Sequence, residues 1–387
     1  MKNLAAALAE LQEDHQWRSR NLLSSAQQIE PVINGRKVLS FCSNDYLGLA
    51  CEPRIIERYV EAAKTFGVGS GASHLITGHH ACHHALEEEL ADFLGCERTL
   101  LFSTGYMANL GLVGALAGRD TTVYQDRLSH ASLIDAAVLA RAHLKRYDHL
   151  AVDALHRHLR ASVGKDGLIA TDGVFSMDGT VAPIEALQKL ADSFSVPLVV
   201  DDAHGIGVLG EEGKGCTEGC RRDETILVGT LGKAFGVFGA FVAARADIIE
   251  WCVQRARSYI YTTALPPSVA EAARTALALI REEPGRRAKL LEQVAYFRQC
   301  AREAGLPVTS SRTPIQPIVL GASKTALEAS HALLEEGLLV QAIREPTVPK
   351  HQARLRVTLC ATHTRSHIDR LIDVLTRSCS RTGEDPS

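Results

Sequence analysis

The sequence predicts an α/β protein: a large domain built on a mainly parallel sheet, followed by a smaller C-terminal α+β domain. Three observations carry that expectation. From Phe41 onward, short apolar runs alternate with helical segments. The runs LLFSTGY, TTVYQD, GLIATDGVF, PLVVDDAH, TILVGTLG and GAFVAA each end in polar or glycine residues, the pattern of strands buried on both faces. The chain is 387 residues long, enough for about two domains, and its 46% apolar and 22% charged residues are ordinary for a globular protein.

Taken in order, the first element is MKNLAAALAELQEDHQW, whose apolar residues recur at helical spacing. Glu and Asp interrupt it early, so it reads as an amphipathic helix rather than a signal peptide. Asn34-Gly35 marks a turn. HHALEEELADFLG, SLIDAAVLARA and IEALQKLADSF are the helical segments between the strands. Pro266-Pro267 punctuates the region, and one long helical stretch is expected from Ser268 to about Ala304. QPIVLG, TALEASHALLEEG, LLVQAIR, ARLRVTLC and IDRLIDVLTRS then make the smaller unit. The expected organisation is an N-terminal helix and arm over 1–45, a large domain over 46–275 and a small domain over 276–387. The final TGEDPS is a polar tail.

Charge excludes several functions. Lys and Arg number 42 against 45 Asp and Glu, a formal net charge of −3. That balance, with no basic stripe, argues against nucleic acid and against an anionic membrane surface. No apolar run approaches the roughly 18 residues that a membrane span needs. The ten cysteines, Cys42 to Cys379, are scattered along the whole chain and read as reduced thiols of a cytoplasmic protein. Cys216-x-x-x-Cys220 has half of a zinc-site spacing but no second pair nearby.

Open parallel sheets place their chemistry at the carboxyl ends of the strands. In Thr230-Leu-Gly-Lys233-Ala-Phe-Gly236 a lysine sits in a glycine-rich turn after an apolar strand. It suits a Schiff-base lysine in a partly desolvated pocket, or equally a plain loop lysine. PLVVDDAHG runs a buried strand into Asp201-Asp202-Ala-His204. Asp202 suits a capping role at the turn. Asp201 needs a cation, such as a protonated pyridine nitrogen, to offset its burial. Ser103-Thr104-Gly105-Tyr106 opens a helix whose backbone amides can bind phosphate. In DRLSHASL, Ser129 can cap a helix and His130 lies at its start. TDGVFSMDG places Ser176 after a strand, with Asp178-Gly179 as a turn.

The run His79-His80-Ala-Cys82-His83-His84 puts two histidine pairs at i,i+4 spacing, a possible metal face. No H-E-x-x-H pattern and no third ligand accompany it. The reading adopted is a partly solvated helix start with no metal.

STGY, DRLSHASL, GVFSMDG, VDDAHG and GTLGKAFG occur in this order, together with SNDYLGLA at 43–50 and GSGASHLITGHH at 69–80. The set closely resembles the α-oxoamine synthases, pyridoxal-phosphate enzymes of fold type I, over nearly the whole chain. FCSNDYLGLA, YIYTTALPP, AIREPTVP and ARLRVTL resemble the member of that family serving biotin synthesis. The resemblance implies a decarboxylative condensation of L-alanine with a pimeloyl thioester of coenzyme A or an acyl-carrier protein. The alternative is a sister activity such as glycine acetyltransferase.

The resemblance also implies residue roles. Lys233 would hold the pyridoxal phosphate covalently and act as base, Asp201 would pair with the ring nitrogen, and His204 would bond the phenolic oxygen. Ser176 would lie close to the cofactor. His130 would stack on its ring and polarise the thioester carbonyl. Gly105, Tyr106 and Thr230 would bind the phosphate. Arg356 would take the amino-acid carboxylate, with Asn44 nearby, and Arg18 and Thr347 would meet the acyl substrate. A homodimer with shared active sites is implied, Tyr261-Thr262-Thr263 reaching the neighbouring phosphate. The chain departs from many relatives at His74, His79, Ala234 and Tyr106, none of which removes a group that the chemistry needs.

Overall fold

The computed structural model describes residues 3–222 and 224–381, without the side chains of 379–381. The terminal TGEDPS and the Cys379 thiol therefore lie outside the described residues. The chain divides into two compact units, 49–176 with 181–287, and 1–48 with 177–180 and 288–387.

The first unit holds a seven-stranded sheet. Its order is Arg98–Phe102, Ala240–Ala244, Thr225–Thr230, Leu198–Asp201, Gly167–Asp172, Thr122–Asp126 and His143–Tyr147. Ala240–Ala244 runs antiparallel to both neighbours, and the other pairings are parallel. The six strands expected from apolar runs are all present. His143–Tyr147, sequence HLKRY, has no such run because it closes one edge of the sheet and leaves much of its length accessible. The interior strands are buried almost throughout, as β-rich runs covered on both faces must be. Helices Gly105–Leu116, Ala131–Leu139 and Ala246–Arg255 bury Leu112, Val113, Leu133, Ile249 and Cys252 in one apolar core with Val199, Val228 and Val242. Each fully buried aliphatic side chain there contributes about 1.5–3 kcal/mol.

The single helix expected after Pro266 is two, Pro267–Glu282 and Pro284–Glu303. Pro284 lacks an N–H and disfavours helical backbone at Glu283, which takes φ −116° and ψ 61°.

In the second unit, Val32–Ile33 and Arg36–Lys37 form a hairpin around Asn34 at φ 49° and Gly35 at φ 78°. Two positive φ angles make the type I′ turn that this dipeptide favours. Leu39–Ser40 pairs in parallel with Leu338–Leu339, so residues 1–48 group with the C-terminal part of the chain rather than standing as a separate arm. Ile315–Gly321, Ala353–Thr358 and Gln341–Ile343 make a three-stranded antiparallel sheet in that order. The Asp178-Gly179 turn belongs to this unit, with Gly179 at φ +66°. Arg354 donates to Asp178 Oδ1 at 2.6 Å, and the Ser311 and Thr313 hydroxyls donate to the Gly179 carbonyl, each at 3.1 Å.

Gly236 tests the lysine turn. It has φ +68°, and an added Cβ would lie 2.4 Å from the Ala50 nitrogen and 2.5 Å from the Leu49 carbonyl carbon. Gly236→Ala is expected to cost about 2–3 kcal/mol, read as a lower urea midpoint with unchanged slope.

Candidate active site

Residues ending the parallel strands of the first unit converge through a hydrogen-bonded network. Lys233 lies in the turn joining Thr225–Thr230 to Ala240–Ala244. Gly236 N donates to the Lys233 carbonyl at 2.9 Å and Leu231 N to the Gly239 carbonyl at 2.8 Å. The Thr230 hydroxyl donates to the Gly239 carbonyl at 3.1 Å and accepts from Gly232 N at 3.2 Å. This closes the turn and leaves the lysine half-buried, with Nζ 2.9 Å from His204 Nε2. A primary amine facing an imidazole nitrogen at this separation has a hydrogen-bond partner for its proton.

His204 is carried by a turn in which Gly205 N and Ile206 N donate to the Asp202 carbonyl at 3.0 and 3.1 Å. Asp202 does not cap a helix. Its buried Oδ2 accepts from Cys216 N at 2.7 Å, pinning the loop that follows. A Cβ on Gly205 would come within 2.0 Å of one carboxyl oxygen, and a Cβ on Gly215 within 1.9 Å of the other. Burial pushes the Asp202 carboxyl up to about 7.

Asp201, 7% exposed at the strand end, accepts from Asn109 Nδ2 at 2.6 Å and from Ala203 N at 3.1 Å. Asn109 also donates to the Ser132 hydroxyl at 2.8 Å. That hydroxyl lies 2.7 Å from His130 Nδ1. Because Nδ1 also accepts from Ser132 N at 3.3 Å, the network assigns the proton of the neutral His130 ring to Nε2. Ser129, expected to cap this helix, does not. His130 holds the N-cap position, with extended φ −56° and ψ 144°, and its ring nitrogen reaches the amide two residues on. The His130 amide in turn donates to Asp172 Oδ2 at 2.9 Å. Asp172 and Asp201 are register partners on adjacent strands. Burial first, and then the neighbouring Asp201 charge, push the Asp172 carboxyl well above the usual range.

The remaining residues singled out in this unit fall nearby in the chain topology. Gly105 and Tyr106 are the first two residues of their helix, whose N-cap Thr104 accepts from Met107 N at 3.2 Å. Amides at such a start have no partner within the helix and are available to an anion. The Tyr106 hydroxyl donates to Asp135. Ser176 is half-buried after the Gly167–Asp172 strand.

In the second unit, Arg356 is buried on the Ala353–Thr358 strand and donates to the Thr358 hydroxyl at 2.8 Å and to Asn44 Oδ1 at 3.2 Å. Arg18 and Thr347 line one concavity of about 560 Å³ with Trp17, His331 and Arg344. Arg344 donates to the carbonyls of His15 and Trp17. Sequence reading did not single out Asn109, Ser132, Asp172 or Arg344. Asn109 lay within LLFSTGYMAN, but an asparagine inside an apolar helix gives no sign of what it faces.

The chain belongs to the class I and II aminotransferase family, whose model it matches over residues 36–375. Its relatives within that family include 8-amino-7-oxononanoate synthases. That of Methylococcus capsulatus is 53% identical over 374 residues, covering 96% of this chain and 97% of the relative. That of Thioalkalivibrio sulfidiphilus is 51% identical over 383 residues, covering 98% and 97%. Among solved structures, a serine palmitoyltransferase from S. paucimobilis with bound pyridoxal phosphate and myriocin superposes with a TM-score of 0.93 at 29% identity, covering 99% of this chain and 98% of that one.

The donor set of the first unit fits pyridoxal phosphate. Lys233 offers an amine to an aldehyde, Asp201 an acceptor to a protonated ring nitrogen, and His204 a hydrogen bond to a phenolic oxygen. The Gly105 helix start offers amide donors to a phosphate, and the Thr230 hydroxyl becomes a further donor on turning away from the Gly239 carbonyl.

Two outcomes test this network. Asn109→Ala, which removes a donor from Asp201 and from Ser132, is expected to lower turnover about tenfold to a hundredfold, measured as kcat at saturating cofactor. Asp202 has a carboxyl raised from 3.8 to about 7, so the native state keeps its proton where the unfolded chain loses it. Its stabilising contribution is complete below about pH 4 and is lost as pH rises to 7. The unfolding free energy of the wild type minus that of Asp202→Asn should therefore fall across that window, by at most about 1.4 kcal/mol per pH unit, in denaturant titrations at each pH.

Proposed function

We propose that this chain condenses L-alanine with a pimeloyl group, carried as a thioester on coenzyme A or on an acyl-carrier protein. The products are 8-amino-7-oxononanoate, carbon dioxide and the free thiol. The observation that carries this reading is the 53% identity to a full-length 8-amino-7-oxononanoate synthase, together with the Lys233–His204 pair beside Asp201. In the overall change, a bond forms between the alanine Cα and the acyl carbon while the carbon–sulfur bond breaks. The Cα–carboxylate bond then breaks as carbon dioxide, and a proton takes its place.

When bound, pyridoxal phosphate draws electrons away from the amino-acid Cα and makes its proton removable. Lys233 would hold the cofactor covalently, and its Nζ would take the Cα proton and later return one. His204 Nε2, at 2.9 Å, orients that amine and exchanges its proton. Asp201, fixed by Asn109 and Ala203 N, would pair with the ring nitrogen and keep it protonated. The helix start at Gly105 and Tyr106, with the Thr230 hydroxyl turned from Gly239, would anchor the phosphate, and Ser176 would lie close to the cofactor. His130, set by Ser132, would stack on the ring, with Nε2–H available to the thioester carbonyl. Arg356 and Asn44 receive the alanine carboxylate, for which a guanidinium fork is suited. Arg18 and Thr347 meet the acyl chain, where Arg344 adds a second cation and Trp17 an apolar wall.

The reading includes a homodimer with shared sites. The Tyr261-Thr262-Thr263 stretch would reach the neighbouring phosphate; Tyr261 is 71% exposed, with the Arg257 guanidinium over its ring at 4.9 Å.

Purified protein loaded with pyridoxal phosphate should release thiol from pimeloyl-coenzyme A with L-alanine, and neither with glycine nor with L-serine. Release confined to glycine or serine would reassign the substrate. Lys233→Ala is expected to abolish both turnover and the borohydride-trappable cofactor. Asp201→Asn should retain cofactor yet lose at least about a hundredfold in kcat, the scale of a lost charge-assisted contact in a catalytic centre.

A further inference from the structure

We propose that His79, His84 and Glu87 form a binding site for one divalent transition-metal ion of the zinc type. The i,i+4 histidine pairs visible in the sequence are not the ligands. His83 uses both ring nitrogens in the fold: Nδ1 accepts from His80 N at 2.9 Å, and Nε2 lies 2.8 Å from the Leu265 carbonyl. Coordination by His83 would break one of these bonds inside the core.

The third ligand comes from a position that spacing did not suggest. His84 and Glu87 are three apart on the helix Ala81–Leu94 and so share one face. Glu87 is 13% exposed at its side chain, and its Oε1 accepts from Leu101 N at 2.9 Å. Its Oε2 faces His79 Nε2 at 3.9 Å. That separation is too long for a hydrogen bond, and it is about 0.5 Å more than the roughly 3.4 Å between tetrahedral ligands each about 2.1 Å from one ion, a gap that a small side-chain rotation closes. One ligand atom from each of His79, His84 and Glu87 falls within 4.8 Å of the others. His84 is exposed, and its contact with Glu88 at 3.4 Å is a surface pair that a metal bond outweighs.

His79 is held as a metal ligand is usually held, through its other ring nitrogen. Its Nδ1 lies 2.9 Å from His74 Nδ1, and the buried His74 ring stacks on Tyr259 at 5.0 Å. With Nδ1–H donated to His74, Nε2 of His79 keeps its lone pair for the ion. The backbone that delivers His79 is a π-helical turn, His74–Gly78, closed by Gly78 N donating to the Ser73 carbonyl at 3.0 Å. A Cβ at Gly78 would meet the Ala72 carbonyl oxygen at 2.1 Å. Two imidazoles and a carboxylate suit Zn²⁺, with water in the open fourth position.

The test is calorimetric titration of ZnCl₂ into the full chain, loaded with pyridoxal phosphate and freed of metal by chelation. One ion per chain is expected. His84→Ala, exposed and so harmless to folding, should weaken binding at least tenfold, as should His79→Ala. His143→Ala, at the far edge of the sheet, should leave it unchanged. Zn²⁺ should raise the melting temperature of the wild type and not that of His84→Ala. Absence of zinc binding by the wild type overturns the proposal. So does binding that survives His84→Ala and His79→Ala undiminished, because the ion would then sit elsewhere, on a thiol for example.

Discussion

The burial of three carboxyl groups where two adjacent parallel strands end constrains everything around them. Asp172, Asp201 and Asp202 all lie out of water, and Asp172 and Asp201 are register partners. Neighbouring strands are about 4.8 Å apart, so two full negative charges there would repel strongly. The fold resolves this by giving each carboxyl a different environment. Asp172 is pushed toward its neutral form by burial and by Asp201. Asp202 is turned onto the Cys216 amide. Asp201 receives two N–H donors and remains directed at the strand ends. The environment thereby gives each of the three a distinct set of partners.

The same bonds position the rest of the network. Asn109 fixes Asp201 and, through Ser132, the tautomer of His130. The Asp202 carbonyl closes the turn that carries His204, and His204 meets Lys233. A change at any member is felt by the others through shared donors, so single substitutions there are not expected to act additively. The two arginines of Arg354-Leu-Arg356 show a similar division of labour on one strand face. Arg354 is committed to Asp178, whereas Arg356 bonds neutral oxygens of Thr358 and Asn44.

The histidine-rich segment shows how the same residue type divides between structure and surface. His83 and His74 are packing and anchoring groups, while His79 and His84 retain outward nitrogens near a carboxylate. No helix among the described residues is long and apolar enough to cross a membrane.

Much of the fold was legible because its causes are local. Apolar runs ending in polar residues marked six strands, Asn34-Gly35 marked a hairpin, and Lys233 among glycines and His204 beyond a buried strand marked residues that the fold brings within 2.9 Å. Where the signal was not local, sequence failed. HLKRY is a strand only because a neighbour offers it an edge, and Pro284 splits a helix that periodicity joined. Ser129 yields the cap to His130 because the backbone turn brings that ring within reach of the Ser132 amide. Asn109, Asp172 and Glu87 carry no mark in the chain, since what they do depends on residues brought to them from up to 92 positions away, as Asp201 is to Asn109. The sequence by itself determined which side chains can do chemistry and which strands would carry them. Only the tertiary structure decided which carboxyls are pushed toward their neutral form and which histidine nitrogen stays open, because those properties belong to the surroundings of a group and not to its identity.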